Sequence, residues 1–333
     1  MSSRLALRGT ALLAAALVVT SCGSGSGDDA AAGGGAASGA GTSGAFPVTV
    51  GTAFGDVTVE EEPARVVALG WSDAETALAL GVQPVGASDW LGFGGEGVGP
   101  WAEGRYDEAP EIVETLEPSY EQIAALQPDL ILDTRSAGTQ ERYDALSAIA
   151  PTIGQPEGAG PYQTTWQQQL DLVGSALGRA EEARSLEEEV GRQFADAAAA
   201  HPEFAGKAVA VAAYTSAGWG AYVRGDSRVD FLEQLGFTNA PAVQEQAAEN
   251  FYVPISEEQL PLLDADLTVA FPIFVDAGLI TADPLWQAVP SVQAGHAVVM
   301  DDPTLVNAFS SGSVLGTRYA LENAVPLFAG ALG

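Results

Sequence analysis

Thiol and imidazole side chains are almost missing from this chain of 333 residues. Cys22 is the single cysteine, so no disulfide can form within the chain. Only His201 and His296 carry imidazoles, whereas a protein that captures bare zinc or manganese usually supplies several. His201 precedes Pro202 at a predicted helix end and His296 precedes a predicted strand, so we assign both a structural role. We therefore expect no resident metal and no resident cofactor.

Positive charge is also scarce. Lys and Arg together number 13 against 44 Asp and Glu, and the formal net charge is −31. Nucleic-acid binding needs a basic surface, and so does adhesion of a protein surface to anionic lipid, so we exclude both. Most of this negative charge is typical of a well-solvated exterior.

The apolar run near the start of the chain is too short to cross a bilayer. It covers residues 11–19, whereas a membrane-spanning helix needs about 20 residues. Two arginines precede it and small residues follow it, which is the layout of an export signal. The segment ending at Cys22 resembles the lipobox of bacterial lipoproteins. That resemblance implies a signal peptide at residues 1–21, cleavage before Cys22 and a diacylglyceryl anchor on its thiol. The alternative is an ordinary secretory signal with a chance cysteine.

Residues 22–46 have few of the large apolar side chains that a folded core needs. They are almost entirely Gly, Ser, Ala and Thr, a composition that behaves as a flexible tether. About 22 such residues have a root-mean-square reach of roughly 25 Å. Together with an anchored Cys22, this predicts a folded part held close to the extracytoplasmic face of the cell membrane.

Beyond residue 46, short β-branched runs alternate with helical stretches. This alternation predicts an α/β protein with parallel sheets built from strand–helix units. The remaining chain, about 290 residues, is long enough for two lobes of ordinary domain size. The predicted strands are 65–69, 82–87, 130–132, 208–213, 267–270 and 297–300.

Two segments repeat one design in the two halves of the chain. Segments 121–130 and 258–267 each open with a Glu-Gln pair and continue as a short helix, and an Asp eight residues after the Glu precedes an apolar strand. Two similar lobes follow from this repeat, with Glu121 and Glu258 at matching places on them. Acids at the start of a helix are also favoured by the helix dipole, which is the alternative reason for their position.

A long helix is predicted between the two halves. Residues 180–200 are rich in Ala, Glu and Leu, with apolar residues four apart on one face. About 21 residues at 1.5 Å each make a rod of roughly 30 Å, long enough to join two lobes. We place the N-terminal lobe at 47–178, the joining helix at 179–201 and the C-terminal lobe at 202–333. The alternative is a crossover helix within one domain.

Five motifs follow one another in a specific order and spacing: 65–69 (RVVAL), 75–82 (ETALALGV), 120–132 (YEQIAALQPDLIL), 177–183 (LGRAEEA) and 255–260 (ISEEQL). Over nearly all of 48–330, this order resembles the ferric-siderophore-binding lipoproteins of bacterial ABC importers. The resemblance implies two Rossmann-like lobes with parallel sheets, joined by one rigid helix, with the ligand in the cleft between them. It also implies a receptor, and no enzyme, that delivers a ferric siderophore to a membrane permease. We expect this receptor to be a monomer.

The same resemblance gives a role to the repeated acids. In this family a surface glutamate on each lobe meets arginines of the permease, and the matching positions are Glu121 and Glu258. The Ser-x-Glu spacing favours Glu258 over its neighbour Glu257. Exposed charges of this kind steer and orient docking more than they add affinity.

Candidate ligand-binding residues lie where loops follow the predicted strands, because ligands of parallel α/β lobes bind beyond the carboxyl ends of strands. A siderophore already saturates its iron, so the protein needs flat apolar walls and a few hydrogen-bond donors. Eight aromatics and two arginines meet this description: Trp71, Trp90, Trp101, Arg135, Tyr214, Trp219, Tyr222, Arg224, Phe251 and Phe274. The alternative for each aromatic is ordinary packing, the role that we assign to Trp286. No third arginine is evident, so we favour neutral or cationic trihydroxamates over anionic tris-catecholates.

Two other functions stay open at this point. The same fold could capture haem or cobalamin, and haem usually takes an axial His, Tyr or Met. A surface hydrolase could use Glu121 with Glu258, which would need the two carboxyl groups about 5 to 10 Å apart in one pocket. The G-x-G-x-x-G spelled by residues 92–97 runs into Gly99-Pro100 instead of opening a helix, so we exclude a dinucleotide site.

Overall fold

The computed structural model describes residues 46–248 and 250–333. The predicted signal peptide, Cys22 and all but the last residue of the predicted tether lie outside these residues. The strands are β1 (Val48–Thr52), β2 (Gly55–Val59), β3 (Val66–Ala68), β4 (Gly86–Ser88), β5 (Glu111–Val113), β6 (Leu130–Leu132), β7 (Thr152–Ile153), β8 (Ala208–Thr215), β9 (Gly218–Tyr222), β10 (Thr238–Asn239), β11 (Tyr252–Ile255), β12 (Leu267–Pro272) and β13 (Ala297–Val299).

The α-helices alternate with these strands along most of the chain. They are α1 (Asp73–Ala79), α2 (Tyr120–Ala125), α3 (Gln140–Ser147), α4 (Trp166–Ala176), α5 (Ala180–Ala200), α6 (Ser227–Gln234), α7 (Pro241–Gln244), α8 (Gly278–Thr281), α9 (Pro284–Gln287), α10 (Pro290–Gln293), α11 (Pro303–Ser311) and α12 (Val314–Leu332). Short 3₁₀ helices span Pro100–Ala102, Pro202–Phe204 and Glu257–Leu263. Within the described part of the chain, no helix is long and apolar enough to cross a membrane.

The first sheet has five strands in the order β5-β4-β3-β6-β7, and every neighbouring pair is parallel. Its central strands β3 and β6 are fully buried along their whole length. Strands covered on both faces are continuous apolar runs, which is why the sequence predicted them correctly. We call this sheet and helices α1 to α3 the N-terminal lobe.

The second sheet is mixed, which corrects the expectation of two parallel sheets. Its order is β11-β9-β8-β12-β13, with β10 beside β8. Strands β10 and β12 each pair in parallel with β8, and β13 pairs in parallel with β12. Strand β9 runs antiparallel to both β8 and β11. Only Ser216 and Ala217 separate β8 from β9, and so short a connection can join only antiparallel strands. We call this sheet with α6 to α11 the C-terminal lobe.

The predicted joining helix is confirmed as α5, which has 21 residues. It buries Ala183, Val190 and Phe194 and packs against α4, α6 and α12. The last helix, α12, packs against α1 as well as α5. A second long helix therefore contacts both halves of the chain, and the predicted lobe boundaries at 178 and 201 stay a prediction.

One hydrophobic core runs through both lobes. It extends from one face of the first sheet through α4 and α5 to the second sheet, α11 and α12. Smaller clusters cover the opposite faces of the two sheets. In the first sheet, Val66 and Ala68 belong to the shared core while Val67 belongs to the outer cluster, because successive side chains of a strand point to opposite faces.

Candidate functional site

The two sheets contribute to one large cleft of about 1320 Å³. Many of its lining residues follow or end strands β3, β4, β8, β12 and β13, at their carboxyl ends, as expected for ligand sites of α/β sheets. Most of the lining is apolar or aromatic. Its aromatic and charged members are Trp71, Trp90, Trp219, Tyr222, Arg228, Phe251, Tyr252, Phe274, Asp276 and Asp301.

The N-terminal wall of the cleft is a stack of aromatic rings. Trp71 follows β3 and lies 4.3 Å from the ring centre of Trp90 at an interplanar angle of 6°. Tyr162 also stacks on Trp71, with its centroid at 4.3 Å. From the C-terminal lobe, Phe251 approaches the edge of Trp71 at 6.3 Å. Aromatic rings of both lobes therefore meet at the cleft.

The C-terminal wall packs against two further aromatic side chains. Trp219 stacks on the buried Trp286 with ring centroids 5.4 Å apart, and Tyr214 packs against Trp219 at 5.1 Å. Because Trp286 is only 2% exposed, it fixes Trp219 from the protein side. Trp286 is thus a core residue, as the sequence indicated.

Arg228 supplies the positive charge of the cleft. Its guanidinium lies 3.9 Å from the ring centre of Tyr222 and donates two hydrogen bonds to Asp226, at 2.9 and 2.8 Å. Burial disfavours the charged guanidinium, but the carboxylate of Asp226 outweighs this effect and raises the pKa of Arg228 above its ordinary value. The ion pair is therefore charge-neutral and buried, and Arg228 is among the residues that line the cleft.

Phe274 has two features that lower the stability of the folded protein. Its backbone has φ of 56°, a left-handed conformation that bulky residues rarely adopt. Its side chain is 91% exposed although it is aromatic. The residue belongs to the segment between β12 and α8, whose neighbours Ile273, Val275 and Asp276 also line the cleft.

A model of the periplasmic binding protein family matches residues 66–304, which is more than half of the chain. The chain belongs to the periplasmic binding protein family.

Relatives and solved structures agree with this assignment. The chain is 28% identical over 282 residues to the probable siderophore-binding lipoprotein YfiY of Bacillus subtilis, an alignment that covers 80% of this chain and 82% of that one. A periplasmic solute binding protein from Mycobacterium smegmatis has a TM-score of 0.74 at 28% identity, covering 86% of this chain and 99% of the other. PiaA of Streptococcus pneumoniae in complex with ferrichrome has a TM-score of 0.73 at 26% identity, covering 86% and 98%. The two-lobed α/β fold is confirmed.

In this periplasmic binding protein, six of the ten sequence-predicted ligand residues line the cleft together: Trp71, Trp90, Trp219, Tyr222, Phe251 and Phe274. Tyr214 is not among the lining residues but packs against Trp219.

The other three predicted residues lie away from the cleft surface. Arg224 is exposed and pairs with Glu233 at 2.7 Å. Trp101 donates its indole N–H to the buried Glu75 at 3.0 Å. Arg135 is buried and donates to the carbonyls of Tyr162 and Ser311, beside the Trp71 and Trp90 rings.

Sequence reasoning missed the charged members of the cleft. The sequence favoured Arg224 over Arg228 because both follow β9 closely. The two differ in that Arg228 lies in the first turn of α6 and is buried, whereas Arg224 precedes the helix. A signal was present: Asp226 is the N-cap of α6, and a guanidinium two residues later can fold back onto it. Asp276 and Asp301 follow the ends of β12 and β13, positions that the strand prediction already marked.

Both predicted docking glutamates are exposed and lie outside the cleft lining. Glu121 is in the first turn of α2 and Glu258 in the 3₁₀ helix Glu257–Leu263. These two helices follow β5 and β11, the edge strands of the two sheets. Since β5 and β11 run in the same direction as the central strands of their sheets, both glutamates lie on the side where the cleft opens.

Proposed function

We propose that this chain is an extracytoplasmic receptor that binds a ferric siderophore in the cleft and delivers it to an ABC permease. The observation that carries this proposal is the cleft between the lobes, about 1320 Å³ in volume and walled by aromatic side chains. Such walls suit the outside of a globular chelate whose iron is already coordinated, because aromatic rings bury large apolar areas at low entropic cost. The relatives named for siderophore binding support the same ligand class.

The charges of the cleft favour a neutral or cationic chelate, such as a ferric trihydroxamate. Among the described residues, Arg228 is the one basic side chain that lines the cleft, and Asp226 already compensates its charge. Asp276 and Asp301 add negative charge at the same surface. A tris-catecholate with several negative charges would find no uncompensated cation to replace its lost hydration.

The two exposed glutamates support docking to a permease. Glu121 and Glu258 flank the cleft side of the molecule, one on each lobe, so one partner surface could contact both while covering the cleft. Their position outside the cleft also argues against a hydrolase that would use them as a catalytic pair.

We further propose that the receptor is held at the membrane by acylation of Cys22, with residues 22–46 as its tether. The support is the lipobox-like sequence and the lipoprotein relative from Bacillus subtilis.

Titration of the full chain carrying Cys22→Ser tests the ligand class. We expect ferrioxamine B and ferrichrome to quench tryptophan fluorescence at micromolar concentrations or below, because Trp71, Trp90 and Trp219 line the cleft. Ferric enterobactin and ferric citrate should bind at least about tenfold more weakly, which corresponds to about 1.4 kcal/mol. Iron-free desferrioxamine B is the control for nonspecific quenching.

Haem and cyanocobalamin are measured in the same assay. Tight binding of either one, with no response to any ferric chelate, would replace the siderophore proposal by the corresponding receptor. Preference for the anionic chelates would leave the receptor function intact but contradict the trihydroxamate preference.

A further inference from the structure

The connection between α11 and α12 brings two helix ends of opposite sign next to each other. Helix α11 ends at Ser311, and α12 begins after its N-cap, Ser313. We call Ser311, Gly312 and Ser313 the joint. The last carbonyls of a helix carry partial negative charge and its first N–H groups carry partial positive charge. The joint thus presents a negative end and a positive end within three residues.

Side chains of the N-terminal lobe hold the negative end. The Ser72 hydroxyl donates to the carbonyl oxygen of Ser311 at 2.6 Å, and Nη1 of Arg135 donates to the same oxygen at 3.0 Å. Among the residues that the structure describes, no carboxylate forms a salt bridge with Arg135. Burial lowers the pKa of Arg135 to about 10, so the buried guanidinium stays charged at neutral pH beside the end of α11.

A carboxyl group of the same lobe holds the positive end. The Ser313 hydroxyl accepts the N–H of Gly316 and donates to Oε2 of Glu75. The other donors to Glu75 are the indole N–H of Trp101 at 3.0 Å and the backbone N–H of Gly99 at 3.1 Å. Both carboxyl oxygens of Glu75 therefore act as acceptors, a role that an amide could fill at only one of them.

Gly312 makes this close approach possible. Its φ is 59°, and a Cβ at this position would lie 2.5 Å from Nη1 of Arg135. A side chain in the middle of the joint would push the guanidinium away from Ser311, so the contact between Arg135 and Ser311 depends on glycine at position 312.

The same residues reach both walls of the cleft. The Arg135 guanidinium lies 5.8 Å from the ring centre of Trp71 and 5.9 Å from that of Trp90, and its Nε donates to the carbonyl of Tyr162. Helix α11 lines the cleft through Val306, Asn307 and Ser310. One buried cation thus touches the aromatic stack of the first wall and the end of a helix that forms part of the second.

We propose that Ser72, Glu75 and Arg135 are positioning residues that hold the Trp71–Trp90 wall at a fixed distance and angle from helix α11. They act on the ligand through these two walls and do not contact it. This inference rests on the proposed receptor function for its effect on affinity, whereas its effect on the distance between the lobes is independent of any ligand.

The test measures lobe geometry and affinity in the full chain carrying Cys22→Ser. Nitroxide labels are attached at Glu141→Cys on α3 and Glu257→Cys beyond β11, both exposed positions on different lobes. We expect Arg135→Lys, Ser72→Ala and Glu75→Gln to broaden the distance distribution between the labels. We also expect each to weaken binding of ferrioxamine B by about tenfold, since a site that is no longer pre-organised binds more weakly.

Arg142→Lys is the matched control. Arg142 is also a buried arginine, but it pairs with Asp133 at 2.8 Å inside the N-terminal lobe. We expect it to lower stability while leaving the label distances and the affinity unchanged. If Arg135→Lys does not fold, Ser72→Ala, which removes one hydroxyl, decides in its place.

Two results would overturn the proposal. Weaker binding by the variants with an unchanged distance distribution would mean that these residues act on the ligand directly. Unchanged distances and unchanged affinity would mean that the joint does not set the geometry of the cleft. If the unsubstituted chain binds no ferric chelate, the distance measurement alone decides, so failure of the receptor function is distinguished from failure of the joint.

Discussion

At the level of single residues, two arginines that follow β9 look alike in sequence but differ in the structure. Arg228 is buried, donates two hydrogen bonds to Asp226 and stacks on Tyr222, whereas Arg224 is exposed and pairs with the side chain of Glu233. Exposed ion pairs contribute little to the stability of the folded protein, because solvent screens their attraction.

Arg228→Lys therefore should weaken binding of ferrioxamine B by about tenfold, because lysine keeps the charge but loses the planar fork and the stacking. Arg224→Lys is the matched control and should leave affinity and stability unchanged. Fluorescence titration below the unfolding temperature measures the affinity of each variant, and thermal unfolding measures its stability. Equal effects of the two substitutions would contradict the assignment of Arg228 to the ligand.

Phe274 gives a second prediction at this scale, in which stability and affinity change in opposite directions. Phe274→Asn places a residue that tolerates the left-handed conformation at φ of 56° and removes an aromatic ring that is 91% exposed. We expect the free energy of unfolding to rise by about 1 kcal/mol and the affinity for ferrioxamine B to fall by about tenfold.

Leu279→Asn, at an exposed position outside the cleft lining, is the control and should leave affinity unchanged. Denaturant unfolding and titration of the same samples measure the two quantities. A loss of affinity together with a loss of stability would show that Phe274 acts through the fold and not through the ligand.

At the scale of elements, two glycines in the central helices have opposite surroundings. A Cβ on Gly174 in α4 would lie 2.5 Å from the Cβ of Ala183 in α5, whereas a Cβ on Gly191 in α5 meets nothing within 4 Å. Alanine favours a helix interior over glycine by about 1 kcal/mol.

We expect Gly191→Ala to raise the free energy of unfolding by about 0.5 to 1 kcal/mol, from helix propensity alone. Gly174→Ala should lower it by about 1 to 3 kcal/mol, because α4 and α5 must move apart. Thermal and denaturant unfolding compare the two variants. Stabilisation by Gly174→Ala would mean that these helices can separate without cost.

The elements also show how far local sequence patterns predict this fold. Strands β3 and β6 and helix α5 were predicted almost to the residue, since continuous apolar runs and a helical period are properties of neighbouring residues. Strand β9 was missed because its sequence, GWGAY, has glycine at two of five positions and its pairing depends on β8 and β11.

At the scale of the whole molecule, the proposed docking of both lobes to a permease can be tested by uptake. Reversing the charges with Glu121→Arg and Glu258→Arg should reduce uptake of iron-55 ferrioxamine B by about tenfold in a strain that lacks its own copy of the gene. Affinity for the chelate should stay unchanged, because neither glutamate lines the cleft.

The control pair makes the same change in charge at exposed positions on both lobes, with Glu141→Arg and Glu245→Arg. Equal loss of uptake in the control pair would attribute the effect to net charge and not to docking.

The buried acids predict how the stability of the whole molecule depends on pH. Burial raises the pKa of Asp73 to about 6, and burial with the nearby Asp226 raises that of Asp230 to about 6. Both ionise near 3.8 in the unfolded chain, so the folded state binds extra protons between these values. Stability from these groups is present at low pH and is lost as pH rises through about 6.

We therefore expect the free energy of unfolding to be larger at pH 5 than at pH 7.5, by about 1.4 kcal/mol for Asp73 alone. Asp230→Asn, which removes one of the two titrations, should reduce this difference. Denaturant unfolding at the two pH values measures it. A free energy that increases with pH across this range would contradict the assignment.

The α/β class, the central strands, the long helix α5 and the negative charge could all be predicted from the sequence, because each depends on composition or on the pattern of neighbouring residues. It also marked most of the aromatic walls, since loops after strands meet at one edge of a sheet. The sequence could not show that Arg228 lines the cleft while Arg135 lies beside the Trp71 ring, away from the cleft surface. One of the two carbonyls that accept hydrogen bonds from Arg135 belongs to Ser311, 176 residues further along the chain. Such a contact depends on how two lobes pack against each other, and no local pattern records it.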